Sequence, residues 1–158
     1  MIKIVFVITS LSAGGAEKVF SLILKNIDKT KFNIILAIGK KEGPFLSNIP
    51  DKVKIKELAG SKKSSKSFFK LLKLLQIEKP DIVFSTLGMN TTSALCSLFL
   101  SKNIRFISRF GNTIGVDLEQ RVKKDSYIKY LVQKYSNLLV LKTTEIVTQS
   151  QYMKNDLI

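Results

Sequence analysis

The stretch Ile8–Phe20, ITSLSAGGAEKVF, carries the residues with the clearest chemical potential in this 158-residue chain. An apolar run ends at Ile8, the chain passes through small residues, and Gly14 and Gly15 open a helix-like pattern with Glu17 in its first turn. Two glycines remove two Cβ atoms, so the backbone can turn sharply there and approach an oxygen closely. A helix that starts at this point aims free N–H groups and the positive end of its dipole at the same spot. That is chemistry for a phosphate or a sugar hydroxyl. The pattern also serves a plain strand-to-helix turn in which glycine relieves crowding, and Glu17 also fits a role confined to the helix dipole.

Other chemistries are narrowed by what is missing. The chain has no histidine, which removes His metal ligands and His general bases, and its one cysteine, Cys96, cannot form an internal disulfide. Cys96 lies in an apolar stretch, residues 94–100, and reads as a buried core thiol; a reducing cytoplasm is the expected setting. A structural zinc site would need mostly carboxylate ligands, so no metal or cofactor is expected. The adjacent glycines do not make G-x-G-x-x-G, and the following strand ends Ala37-Ile38-Gly39-Lys40 without an acid to bind a ribose. The P-loop pattern G-x-x-x-x-G-K-[ST] is also absent.

Charge adds a partner class. With 26 Lys and Arg against 12 Asp and Glu, the formal charge is +14. Such a surface attracts phosphates, whether on nucleic acid, anionic lipid or a diphosphate substrate. The apolar start, Met1–Ile8, is too short and carries too little positive charge for a signal peptide, and no apolar run approaches the roughly 20 residues of a spanning helix. A soluble or at most peripheral protein is expected.

The elements that must position these residues alternate. Ile2–Ile8 and Phe32–Ile38 are near-continuous apolar, β-branched runs, the pattern of strands buried on both faces. Ala16–Ile27 lies between them with apolar residues at Val19, Leu22, Ile23 and Ile27, a helical spacing. A loop with Gly43, Pro44 and Pro50 leads to a short strand, Val53–Leu58. Then come a helix over Ser67–Ile77, a strand over Asp81–Ser85, a helix over Thr91–Leu100 and a strand over Ile104–Ser108. A mostly helical Glu119–Leu141, a short strand over Glu145–Thr148 and a helix over Gln151–Ile158 capped by Ser150 complete the chain. Repeated strand–helix alternation predicts a Rossmann-like, doubly wound parallel sheet in one α/β domain. Ligands bind such sheets beyond the carboxyl ends of the strands, where the strand order reverses. The Gly14-Gly15 turn follows the first strand and so falls where a ligand belongs.

Four stretches in order, SLSAGGAEKV, KPDIVFSTLGMNTTSAL, RFISRFGNT and VTQSQYMKNDLI, resemble the N-terminal domain of family 4 retaining glycosyltransferases. The resemblance spans nearly the whole chain. It implies a GT-B enzyme with two Rossmann-like domains and an active site in the cleft between them. Residues 1–158 would be the N-terminal, acceptor-side domain, the donor-binding domain would be absent, and this chain alone would be inactive. The implied partners are a nucleotide-sugar donor and a glycan or lipid-linked sugar acceptor of the cell envelope. Carried over by position, Gly14 and Gly15 would face the donor's diphosphate or transferring sugar. Thr86, Gly88, Met89 and Asn90 would line the acceptor side, with helix capping as the alternative for Asn90. On the loop after the fifth strand, Arg109 would pair with a phosphate through its fork of N–H donors, or else make a surface or interdomain ion pair. Asn112 would hydrogen-bond a sugar hydroxyl. Many relatives place a histidine on a cleft loop; here Phe110 and Gly111 stand near that spot, so no catalytic residue is named. Stabilisation of the departing diphosphate would be the main catalytic term.

One helix carries a separate signal. In Lys62–Ile77, KKSSKSFFKLLKLLQI, the residues Phe68, Leu71, Leu72 and Leu75 share one face, while Lys63, Lys66, Lys70 and Lys73 gather on the other. Phe69 falls on the border. This is a sheet-covering helix with a solvated basic face, or a face that docks on an anionic membrane surface. Arg121, Lys123, Lys124, Lys129 and Lys134 form a second basic group. The membrane reading places the protein in the cytoplasm, peripheral at the inner face of the cell membrane. The alternative to an enzyme is a basic nucleic-acid-binding or non-catalytic interaction domain; no helix-turn-helix, zinc or RNP-like signature supports the nucleic-acid version.

Overall fold

The structure, a computed structural model, describes residues 1–60, 64–112 and 127–155. Six strands form one all-parallel sheet in the order β3-β2-β1-β4-β5-β6. They are β1 (Ile2–Ile8), β2 (Phe32–Ile38), β3 (Lys54–Glu57), β4 (Ile82–Thr86), β5 (Arg105–Arg109) and β6 (Glu145–Val147). The helices are α1 (Gly15–Asn26), α2 (Phe68–Glu78), α3 (Met89–Ser97), α4 (Tyr127–Thr143) and α5 (Gln151–Asn155). This is the expected Rossmann-like α/β domain. The strand order reverses between β1 and β4, which is the topological switch point of such sheets.

The apolar runs of β1 and β2 build the centre of the sheet, paired in register from Ile2 opposite Phe32 to Ile8 opposite Ile38. Successive strand side chains point to opposite faces, so each strand feeds two cores. Val5, Val7, Ile35, Ala37 and Val83 meet Leu71 and Leu75 of α2 and Met89 and Cys96 of α3. Ile4, Phe6, Ile8, Ile34, Leu36 and Ile38 meet Phe20 and Leu24 of α1. On that second face Phe6, Phe20 and Phe84 form a ring cluster with centroids 5.2–5.7 Å apart. Aromatic packing of this kind contributes about 0.5–1.5 kcal/mol per pair beyond area burial.

Several boundaries move for local reasons. The loop after β2 contains a 3₁₀ turn, Pro44–Asn48, which packs on the α1 side. Its N-cap, Gly43, has φ +115°, and a Cβ there would collide with the Leu11 carbonyl. The third helix starts two residues before the expected Thr91 and stops at Ser97 although the apolar run continues to Leu100. The Ser97 hydroxyl donates back to the Ala94 carbonyl at 2.7 Å, and Leu98 and Phe99 make i→i−3 backbone bonds. Such bonds tighten and end a helix. Helix α2 ends in a left-handed Lys79, φ 43°, ahead of Pro80. Ser150 caps α5 as expected, its Oγ accepting from the Met153 N–H at 3.2 Å. The part of the expected Glu119–Leu141 helix before Tyr127, and the last three residues of the expected Gln151–Ile158 helix, lie outside the described residues. Cys96 is fully buried, and burial pushes its thiol pKa up to about 12. No helix among the described residues is long and apolar enough to cross a membrane.

Candidate functional site

A cleft of about 900 Å³ opens at the switch point. Three segments build it, each at the carboxyl end of a strand. The start of α1 after β1 brings Gly15 and Glu17, the β4–α3 turn and the start of α3 bring Leu87, Gly88 and Asn90, and the end of β5 with the residues after it brings Arg109, Gly111 and Asn112. Helix α4 packs against α3 and supplies one wall through Val132, Gln133, Ser136 and Asn137; Gln149 follows β6.

The paired glycines have different jobs. Gly14 is the N-cap of α1, with φ −92° and ψ 164°. That is extended backbone open to any residue, so the turn does not depend on glycine's conformational freedom. A Cβ on Gly14 would collide with the Glu17 carboxylate, which folds back over it from the third helical position. This is the direction in which an N3 acid reaches its N-cap in a capping box. A Cβ on Gly15 would meet nothing within 4 Å. Gly15 therefore keeps the mouth of the cleft clear, while Gly14 makes room for Glu17. The first intrahelical bond runs from Lys18 N to Gly14 O at 3.0 Å. The N–H groups of Gly15, Ala16 and Glu17 precede it, as at any helix start.

Strain sits beside them. Leu87, between β4 and α3, has φ 57°, a left-handed conformation that costs a side-chain-bearing residue on the order of 1–2 kcal/mol. Such strain collects at functional sites.

Under the cleft runs a buried polar bracket joining β4, α3 and β5. Ser85 Oγ donates to Asn90 Oδ1 at 2.9 Å and lies 3.3 Å from Ser108 Oγ. Asn90 Nδ2 donates to the Arg109 carbonyl at 3.0 Å, and Thr86 Oγ1 donates to the same carbonyl at 3.3 Å. Arg109 itself is 4% exposed. Its Nη1 lies 3.5 Å from Thr86 Oγ1, and its Nη2 is buried without a hydrogen-bond partner. Burial pulls its pKa below the ordinary arginine value, though a guanidinium keeps its charge in proteins.

Six of the expected residues come together around the cleft: Gly15, Glu17, Gly88, Asn90, Arg109 and Asn112. Three expectations need correction. Met89 does not line the acceptor side; its side chain is fully buried in the core with Val5, Val7 and Cys96, because α3 begins there and turns it onto the sheet. Thr86 is fully buried and acts through the Arg109 carbonyl from behind the cleft. Asn90 does not cap α3, whose N-cap is Gly88 without a side-chain bond; it ties α3 to β5 instead. The surface ion pair considered for Arg109 is also ruled out by its burial. Leu87 and the α4 wall were not anticipated: no residue type announces a left-handed leucine, and the wall arises from the packing of α4 on α3. Among the described residues no group of three His, Cys, Asp or Glu could hold a metal ion.

The basic residues lie apart from the cleft. Leu71 and Leu75 of α2 are buried, while Lys66, Lys70 and Lys73 are exposed and Phe69 is 81% exposed. Phe69 packs edge-on to Phe68 at 5.1 Å, and Phe68 in turn meets the exposed Phe99 at 6.0 Å. Lys129 and Lys134 of α4 are exposed too. Lys63, Arg121, Lys123 and Lys124 lie outside the described residues.

No protein-family model and no curated protein sequence matches this chain. Among solved structures it is similar to a protein of Listeria monocytogenes assigned as a UDP-N-acetylglucosamine 2-epimerase, with TM-score 0.65 and 12% sequence identity. The match covers 99% of this chain and 41% of that one. At this identity the likeness shows the fold: the chain has the architecture of one part of a larger protein whose name assigns it an activity on a sugar nucleotide.

Proposed function

We propose that this chain is the acceptor-side half of a two-lobed, retaining glycosyltransferase, which moves a sugar from a nucleotide-sugar to a glycan or lipid-linked acceptor. The observation that carries this reading is the open cleft at the β1/β4 switch, faced by a glycine with free space where its side chain would be. A second lobe closing on that rim would bring the donor against Gly15 and the start of α1, with the acceptor between the β4 and β5 loops. The solved neighbour supports it in two ways: its name assigns it a UDP-sugar substrate, and this chain spans 41% of its length. Buried donors around a departing diphosphate would supply the electrostatic stabilisation that transfer needs.

The test is transfer by the full two-lobed enzyme. With a nucleotide-sugar and acceptor, proton NMR of the first product should show the donor's anomeric configuration, and the 158-residue chain should show no turnover. An inverted product, or transfer by this chain alone, would overturn the proposal.

The exposed face of α2 supports a second part of the reading, contact with an anionic membrane surface that presents a lipid-linked acceptor. Near such a surface each lysine contributes on the order of 1 kcal/mol, and Phe69 and Phe99 are placed to enter the interface. Anionic vesicles should sediment the protein in low salt, and changing Lys66, Lys70 and Lys73 together to Glu should release it. Equal sedimentation of the triple variant would remove this part alone.

A further inference from the structure

Among the described residues, Arg109 is a buried charge without a counterpart. Buried charges are ordinarily paired and fully hydrogen-bonded, yet no ion pair to Arg109 occurs among the described residues, and Nη2 has no acceptor. Among the described residues its guanidinium reaches one side-chain acceptor, Thr86 Oγ1 at 3.5 Å, at the limit of a hydrogen bond. Everything else about the residue is fixed. Its strand pairs with Thr86 on one side and Val147 on the other, and its carbonyl is held by Asn90 and Thr86. Gly111 lies against the guanidinium: a Cβ there would sit 3.5 Å from Nη1, an ordinary van der Waals contact. The start of α1 faces the same cleft, but its own Glu17 carboxylate is folded back there. Among the described residues that line the cleft, the cationic side chain is Arg109.

We propose that Arg109 is an oxyanion-binding residue of the cleft, taking a phosphate or carboxylate oxygen of a substrate on its guanidinium fork, and that Asn90 is the positioning residue that holds it there. A planar fork in a fixed orientation suits a two-oxygen acceptor. The ligand chemistry is the same whether the oxyanion belongs to the donor's diphosphate or to an anionic acceptor. The inference rests on the proposed function only for the identity of that ligand, because anion binding by this chain can be measured without transfer.

The experiment is a titration of the 158-residue chain with inorganic pyrophosphate, and separately with glucuronate, at 0.2 M salt to suppress binding by surface lysines. The readouts are affinity and the Arg109 Nε–Hε NMR signal. Saturable binding should move that signal, and Arg109→Gln should weaken it at least tenfold, with Arg109→Lys intermediate. Asn90→Ala, measured while fully folded, should weaken binding severalfold and shift the free-state Arg109 signal. Cys96→Ala, a buried change in the same helix away from the cleft, should do neither. Binding that survives Arg109→Gln, or no binding by the unaltered chain, would overturn the proposal; so would equal effects of Asn90→Ala and Cys96→Ala for the positioning role. In the two-lobed enzyme, a rise in donor KM against a rise in acceptor KM for Arg109→Gln assigns the oxyanion to one substrate or the other, and no rise in either overturns it. Arg109-dependent binding without any transfer would sustain this inference and remove the glycosyltransferase reading.

Discussion

Replacing Asn90 by Ala breaks the bracket beneath the cleft at its centre. The side chain makes two buried bonds, accepting from Ser85 Oγ at 2.9 Å and donating to the Arg109 carbonyl at 3.0 Å. The losses are unequal. Ser85 Oγ keeps Ser108 Oγ at 3.3 Å and the Ile107 carbonyl at 3.4 Å, so its loss is small, about 0.5 kcal/mol. Among the described residues the Arg109 carbonyl keeps only the 3.3 Å bond from Thr86, and losing its better donor costs about 1 kcal/mol. The small void adds about 1 kcal/mol, and the better helix propensity of Ala returns a few tenths. The expected net loss is about 2 kcal/mol. Urea unfolding followed by circular dichroism should show an unchanged slope and a midpoint lower by roughly 1 M. Asn90→Asp sharpens the test, because a carboxylate cannot donate to the Arg109 carbonyl. Facing that carbonyl, the new acid has a raised folded-state pKa. The variant should be least impaired below the unfolded pKa of about 3.9 and lose stability as pH rises above it. A loss under about 0.5 kcal/mol for Asn90→Ala, or an Asp variant indifferent to pH, would refute the bracket.

Three further outcomes are expected. Gly43→Ala should destabilise the fold by about 2 kcal/mol or more in the same urea assay, because its φ of +115° and the adjacent Leu11 carbonyl both exclude a side chain; Gly60, also at positive φ but with open space around it, should lose less on the same change. Cys96 should resist alkylation at pH 8 until urea unfolds the chain, since burial raises its pKa to about 12; rapid labelling of the native protein would contradict that burial. Arg105 holds Glu145 through two bonds of 3.0 and 2.8 Å across β5 and β6, which lowers the Glu145 pKa below its usual 4.5. The stability this adds is present above the unfolded carboxylate pKa and is lost as pH falls through the lowered value. Glu145→Gln should therefore narrow the acid-side loss of stability, an effect that weakens in high salt because the pair is exposed.

The frame of the domain was legible because its centre is chemically simple. Ile2–Ile8 and Phe32–Ile38 are short β-branched runs that suit a doubly covered parallel strand, and both strands have the expected ends. The glycine turn was placed correctly by strand-end geometry, but its physics was not: Gly15 leaves space and Gly14 yields it to Glu17, and neither uses a backbone that glycine alone allows. Long-range features stayed hidden. Asn90 reads as a helix-start residue in the chain, and only the return of β5 alongside β4 reveals the carbonyl it holds. Met89 has the right position in the sequence and the wrong side of the helix. Leu87 and the α4 wall depend on tertiary packing that carries no local pattern.

The cleft's role is tested most directly by Gly15→Val in the two-lobed enzyme. The open space beside Gly15 lets the variant fold, and valine has a better helix propensity than glycine. The bulk of valine would then stand where the proposed function brings donor and acceptor together, and a displacement of about 1 Å there costs on the order of a hundredfold in rate. The expected result is a urea midpoint close to that of the unaltered enzyme and sugar transfer reduced at least a hundredfold. Full transfer by a folded Gly15→Val enzyme would contradict the assignment of this cleft to substrate.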